Sequence, residues 1–306
     1  MKYLPESKIE SIGNRVLSNS ALSNQPIELP ETLKTIGDYF LSSCTGFNSS
    51  ITLPEGLVSI GGFFLQGCSL FNQEVSVPDS TETIGSYFMA GCTMFNRPIS
   101  LRGAKTIGAR FLSVCRNFNS EIQMPNIEEI PEGFLAGDTA FNQALDLANM
   151  TKIEGSFLFD CSSFNRPLTF TEATRIGGPF LSGCTAFNSP ITFGANLTSL
   201  NLNNFMTGCT AFNQNLKLGS SITMGMASID GFLYNAKNYT STIEFNCAPP
   251  TSSTSYNVLS TDDSTADMYT VGITLTGTYA SQWKNKYPDL DGTAASQYYY
   301  RKLILG

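Results

Sequence analysis

Apolar and polar positions alternate along this chain with a long period. The dipeptide Phe-Asn marks one apolar column at Phe47, Phe71, Phe95, Phe118, Phe141, Phe164, Phe187 and Phe212, at intervals of 23 to 25 residues. A second column lies upstream at Phe40, Phe64, Phe88, Phe111, Phe134, Phe157, Phe180, Phe205 and Phe232. The two columns take seventeen of the 22 Phe residues, so the Phe content is architectural. An Ile or Leu opens each copy, at Ile12, Ile36, Ile60, Ile84, Ile107, Ile130, Ile153, Ile176, Leu200 and Ile229. A fixed period of this length means a repeat array, here of ten copies with a degenerate first and last.

The unit reads I-G-x-x-F-L-x-x-C-x-x-F-N-x-x-I-x-L-P-x-x-L. Its I-x-L-P segment, as in Ile51-Thr52-Leu53-Pro54, alternates apolar and polar and predicts a short strand with one buried face. The I-G-x-x-F-L-x-x-C segment has apolar residues at helix-like spacing. It is too short, and too rich in glycine early on, for more than a 3₁₀ or single-turn element. One copy cannot stand alone. Ordering each residue costs roughly 1–2 kcal/mol, whereas each of four or five large side chains returns about 1.5–3 kcal/mol on burial. Stacking the copies closes that gap, and strands about 4.8 Å apart predict a ten-rung parallel sheet roughly 45 Å long.

At the copy Ile60-Gly61-Gly62-Phe63-Phe64-Leu65-Gln66-Gly67-Cys68, with Phe71-Asn72 and Val75-Ser76-Val77-Pro78 behind it, the chain resembles the BspA-type leucine-rich repeats. Its Phe-Asn-x-x-Ile spacing is one residue longer than that family's and resembles the Phe-Asn-Gln repeats of mycoplasma-type surface proteins, as at Phe71-Asn72-Gln73, Phe141-Asn142-Gln143 and Phe212-Asn213-Gln214. The resemblance spans roughly residues 8–247. It implies a leucine-rich-repeat solenoid of short parallel strands joined by 3₁₀ or helical turns, and a role in adhesion or surface recognition. The expected division is a solenoid over residues 1–247 and a C-terminal cap over 248–306.

Composition narrows the function. Charged residues are only 14% and the net charge is −7, with no local Lys/Arg cluster, so a nucleic-acid backbone is not an expected partner. Histidine is absent, which removes the commonest general base and the commonest zinc ligand. No stretch reaches the 18 or so apolar residues of a membrane span. Pro5 and Glu6 stand where a secretory signal would carry its apolar segment. The expected location is therefore cytoplasmic by default, or virion-associated, with the cell surface reached only by another export route.

Seven of the eight cysteines, Cys44, Cys68, Cys92, Cys115, Cys161, Cys184 and Cys209, share one repeat position, with Asp138 in the slot between Cys115 and Cys161. They read as small buried thiols, since zinc would want C-x₂₋₄-C pairs. The Asn column from Asn24 to Asn213 reads as inward-turned side chains that satisfy backbone groups at a bend. Two columns are candidate partner surfaces. The polar residue inside each strand forms a stripe: Glu28, Thr52, Ser76, Ser100, Gln123, Asp146, Thr169, Thr192, Lys217 and Glu244. Just before the upstream Phe, Tyr39, Phe63 and Tyr87 stand in consecutive copies, flanked by Arg15 and Arg110 and followed by Gly133, Ser156 and Pro179. Aromatics edged by Arg have the composition of an interface core, or else they pack laterally on their own rungs.

G-x-S-x-G, P-loop, H-E-x-x-H and EF-hand patterns are absent, and Gly103-Ala104-Lys105-Thr106 is only a fragment of a P-loop. No catalytic residues, metal or cofactor are expected. Past Ala248-Pro249-Pro250 the tail carries the single tryptophan, Trp283, on a Tyr-Lys-x-x-Trp-like helix like that of BspA-type proteins, read as a plug on the last rung. The apolar end, Gln297 to Gly306, is expected to join the cap or to contact another subunit in a homo- or hetero-oligomer. The expected function is a non-enzymatic recognition or adhesion module that binds a protein or a cell-surface glycan. The alternative is a structural or host-binding component of a larger assembly such as a phage virion.

Overall fold

The Ile or Leu that opens each of the first nine copies is itself a strand residue. In a computed structural model, which describes residues 8–21, 24–224, 229–251, 260–261, 273–286, 299–300 and 303–305, the chain forms two units, Met1–Asp146 and Leu147–Gly306. Both are wound as leucine-rich-repeat solenoid with short parallel strands. In the first unit Ser11–Ile12, Thr35–Ile36, Ser59–Ile60, Thr83–Ile84 and Thr106–Ile107 pair in parallel, with their isoleucines in register. In the second, Lys152–Ile153, Arg175–Ile176 and Ser199–Leu200 do the same. Two residues, one polar and one buried, are too few to show a period of two in the sequence, which is why this ladder was not legible there.

The expected I-x-L strands form a second wall, but not as one ten-rung sheet. Ile27–Glu28 pairs with Ile51–Thr52, and Ile99–Ser100 with Ile122–Gln123, while Val75-Ser76-Val77 between them forms no strand. In the second unit Leu168–Phe170 pairs with Ile191–Phe193 in a two-stranded sheet. Leu216–Leu218 starts a separate sheet through Thr242–Phe245, Ile273–Thr276 and Leu303–Leu305. The alternation is as expected in most copies, as where Ile51 and Leu53 are buried and Thr52 is exposed, while Phe193 is only half-buried.

The segment of helix-like spacing is a third wall of successive turns. Tyr39, Leu41 and Ser43 all have positive φ, at 62°, 56° and 60°, and the N–H groups of Ser42 and Cys44 donate to the carbonyls of Tyr39 and Leu41. A left-handed residue third in each turn is the type II pattern. These rungs also bond to one another: the Tyr39 N–H donates to Gly62 in the following copy at 2.8 Å, and the Leu41 N–H to Val16 in the preceding copy at 3.1 Å. Left-handed backbone costs an L-residue about 1–2 kcal/mol, and this inter-rung bonding together with burial of Leu41 offsets it.

Inside these walls the Phe columns stack. Phe40, Phe64, Phe88, Phe111 and Phe134 lie 5.3–5.9 Å apart, and Phe47, Phe71, Phe95, Phe118 and Phe141 lie 5.7–6.2 Å apart. The second unit repeats this from Phe164 through Phe187 and Phe212 to Tyr239. The only helix among the described residues is α1, Ala280–Lys286. It buries Trp283, whose ring stacks on Phe245 at 4.1 Å and whose indole N–H donates to the Cys247 carbonyl at 2.9 Å. The plug read at Trp283 therefore sits on the strand of the last repeat, Thr242–Phe245. Of the apolar end, Leu303–Leu305 pairs in parallel with Ile273–Leu275 and Tyr299–Tyr300 is antiparallel to Ser260–Thr261. Gln297 and Tyr298 lie outside the described residues, as does most of the Ser/Thr-rich stretch before Ile273.

Candidate functional site

The column of Tyr39, Phe63 and Tyr87 is a continuous stack on the outside of the first unit. Tyr39 and Phe63 lie 4.3 Å apart at 5°, and Phe63 and Tyr87 lie 4.7 Å apart at 8°. The guanidinium of Arg15 sits 4.8 Å from the Tyr39 ring centre and that of Arg110 sits 5.8 Å from the Tyr87 ring centre. Five side chains from five consecutive copies thus form one layered strip, cation at each end and three rings between. All five have φ between 58° and 63°, because each holds the same place in the turn wall and its N–H is tied to the next copy. The strip stops at Gly133, where an added Cβ would come within 3.0 Å of Cγ of Arg110.

This geometry joins the two readings open in the sequence. The rings do pack laterally, with ring stacking worth about 0.5–1.5 kcal/mol a pair and each exposed cation–π contact about 0.5–1 kcal/mol. They are nonetheless only half-buried, and the arginines are exposed. Ring faces are used up inside the strip. What it presents outward is ring edges, guanidinium N–H groups and the Tyr39 and Tyr87 hydroxyls, which make no hydrogen bond to described residues.

The strand stripe is exposed as expected at Glu28, Thr52, Ser76, Gln123, Asp146, Thr169, Thr192 and Lys217, and part-exposed at Ser100 and Glu244. It is not a continuous surface. A cavity of about 150 Å³ opens beside Ser76, Ser100 and Gln123, where the first unit's ladder is interrupted. A larger one of about 660 Å³ lies in the second unit, between Ile191–Phe193 and Lys217. Phe193, Ser220, Ser221, Asn246 and Thr278 also line the larger cavity and escaped the sequence reading. The available signal was spacing: the Asn bonded between copies are 25 residues apart from Asn188 to Asn213, and the next step, to Thr240, is 27.

The Cys and Asn columns both spend their polar groups on hydrogen bonds between copies. The thiols of Cys44, Cys68, Cys92 and Cys115 donate to the carbonyls of Leu17, Leu41, Leu65 and Met89 in the preceding copies, at 2.9–3.1 Å. Cys184 and Cys209 do likewise to Leu158 and Leu181. Burial pushes the Cys68 thiol up to about 12 and raises those of Cys92, Cys115 and Cys184 well above the usual thiol range, so each stays protonated as the donor its carbonyl needs. All eight cysteines are buried and none is in a disulfide. The Asn column satisfies backbone groups, but along the array and not inward: Asn24, Asn48, Asn72, Asn96 and Asn119 each accept the N–H of the next Asn at 2.8–3.0 Å.

Asp138 differs from the thiols it replaces. Oδ1 accepts the Cys115 N–H at 2.7 Å, while Oδ2 is buried without a partner. Burial raises its carboxyl well above the usual range, and the Cys115 hydrogen bond only partly opposes this. Among the described residues no group of three His, Cys, Asp or Glu could hold a metal ion, and no helix is long and apolar enough to cross a membrane.

A family model for the BspA type leucine rich repeat region matches residues 10–142 and 97–213, with six copies. A search of curated proteins finds no match. Among solved structures, the chain is similar to a leucine-rich repeat protein from Bacteroides ovatus ATCC 8483, at 13% identity and a TM-score of 0.44 over 92% of this chain and 83% of that one. It is also similar to a leucine rich cell surface protein from Faecalibacterium prausnitzii A2-165, at 17% identity and a TM-score of 0.41 over 90% of this chain and 85% of that one.

Proposed function

The chain belongs to the BspA-type leucine-rich repeat family, and on that premise we propose that it is a non-enzymatic recognition module that grips a protein partner through the Arg15–Tyr39–Phe63–Tyr87–Arg110 strip. The observation that carries this reading is the exposed five-membered stack itself. Tyr and Arg dominate protein interfaces because they combine large area with directional donors, at low entropy cost when already held in place. Here stacking holds the rings before any partner arrives.

The same stack favours a protein over a glycan at this surface. Sugars pack their C–H faces on open aromatic faces, and in the strip every ring face is covered by a neighbouring ring or a guanidinium. Ring edges, hydroxyls and guanidinium N–H groups suit backbone carbonyls and carboxylates of a protein surface. The test replaces Tyr39, Phe63 and Tyr87 together by Ser and compares partner capture and melting with the parent chain. The reading expects capture to be lost while the cooperative transition remains. Undiminished capture by a folded triple variant would leave the column with a structural role only.

A further inference from the structure

The larger cavity of the second unit differs in chemistry from the aromatic strip of the first. It opens where the strand ladder breaks: Ile191–Phe193 ends one sheet, and Leu216–Leu218 begins another. Its lining combines the apolar Ile191, Phe193 and Leu197 with Thr192, Ser220, Ser221, Asn246 and Thr278. Its charges cancel. Lys217 Nζ lies 2.9 Å from Glu244 Oε1, which also accepts the Asn246 amide at 2.7 Å. These hydrogen bonds hold the Glu244 carboxyl below its usual range. The ammonium and the carboxylate offset each other beside the cavity.

Phe193 also differs from the rings of the strip. It stacks on Phe170 at 6.2 Å and 18°, but Phe205 meets it tilted at 53° and no parallel ring follows it. A half-buried aromatic thus lines a neutral cavity rimmed by groups that both donate and accept. The volume, about 660 Å³, falls within the range of small-molecule sites and is too confined for an extended peptide.

We propose that the cavity between Ile191–Phe193 and Lys217 is a binding site for a neutral saccharide, with Phe193 packing against the sugar ring and the Ser220, Ser221 and Asn246 side chains engaging its hydroxyls. This site is independent of the protein-binding strip. The probes are a panel of methyl glycosides and neutral disaccharides of glucose, galactose, mannose and N-acetylglucosamine, with sialic acid and a tripeptide alongside. Ligand-observed NMR on the full chain reads saturable binding.

The expected result is binding of at least one neutral sugar, weakened about tenfold or more by Phe193→Ala and abolished by Ser221→Trp. Ser221 is exposed, so the tryptophan fills the mouth without entering the core. The Tyr39/Phe63/Tyr87→Ser variant should bind the sugar as the parent does, which separates failure of this site from failure of the strip. No saturable binding by any neutral sugar, a response only to sialic acid or the tripeptide, or binding indifferent to Ser221→Trp would overturn the proposal.

Discussion

Phe63 and Phe64 are neighbours in the chain, and each belongs to a column of stacked rings, yet the two columns do different work. The inward column through Phe40, Phe64, Phe88 and Phe111 is 0–1% exposed, and its value lies in area removed from water. The outward column through Tyr39, Phe63 and Tyr87 is stacked as regularly and more closely, at 4.3 and 4.7 Å, but stays half-exposed and ends in arginines. Stacking is therefore a property of the repeat, not a sign of function. What marks a candidate surface is the ring the fold leaves in water.

That contrast is broken most forcefully by truncation. Phe118→Ala should cost about 3–5 kcal/mol, because Phe118 is fully buried between Phe95 and Phe141 and the solenoid leaves a cavity in its place. Phe63→Ala should cost only about 1 kcal/mol, the lost ring contacts of an exposed stack. Urea denaturation of both variants reads the difference directly, and equal costs would mean that the two columns are not distinguished by burial.

Asp138 sharpens the inward side. Its folded carboxyl titrates above an unfolded value of about 4, so the folded chain keeps a proton that the unfolded chain releases. Stability from this group is complete below the unfolded value and is lost as pH rises towards the folded one. Asp138→Cys restores the residue that seven other copies carry. The Cys115 N–H retains the Leu112 carbonyl at 3.3 Å as a second acceptor. The variant should gain about 1–3 kcal/mol at pH 7, the cost of an unsatisfied buried polar atom, and the gain should shrink towards pH 4. A gain independent of pH would show that the carboxyl is not the cause.

The smallest effect belongs to the outward face. Val114 is 39% exposed and holds φ at 62°, in a place where Gly67, Gly91 and Gly137 serve other copies of the first unit. Val114→Gly should stabilise by about 0.5–1 kcal/mol, since release of left-handed strain exceeds the added chain entropy. A loss in the melting temperature would place the side chain's own contacts above that strain.

Much of this was legible in the sequence. The Phe and Cys columns and the alternation of Ile51-Thr52-Leu53 appear as expected, because long identical spacing repeats one physical requirement many times, whereas the Asn column serves backbone groups as expected but along the array instead of inward. The turn wall did not. Its signal was the glycine before Cys68 and Cys92, obscured by Ser43 before Cys44 and Val114 before Cys115, residues that take the same left-handed backbone only because neighbouring copies bond it in place. The outward aromatic column was visible as composition. That its ring faces are consumed by stacking depends on the distance between copies, which no single copy encodes. The larger cavity arises from a broken ladder, and in the sequence only the longer spacing after Phe187 hints at it.

The claim that recognition resides in the outward strip is tested most directly by placing a photo-crosslinking benzoylphenylalanine at Phe63 and, in a separate chain, at Thr52 on the strand stripe, then irradiating each with the captured partner. The account predicts a covalent adduct from position 63 and little or none from position 52. An adduct formed from position 52 and absent from position 63 would contradict it.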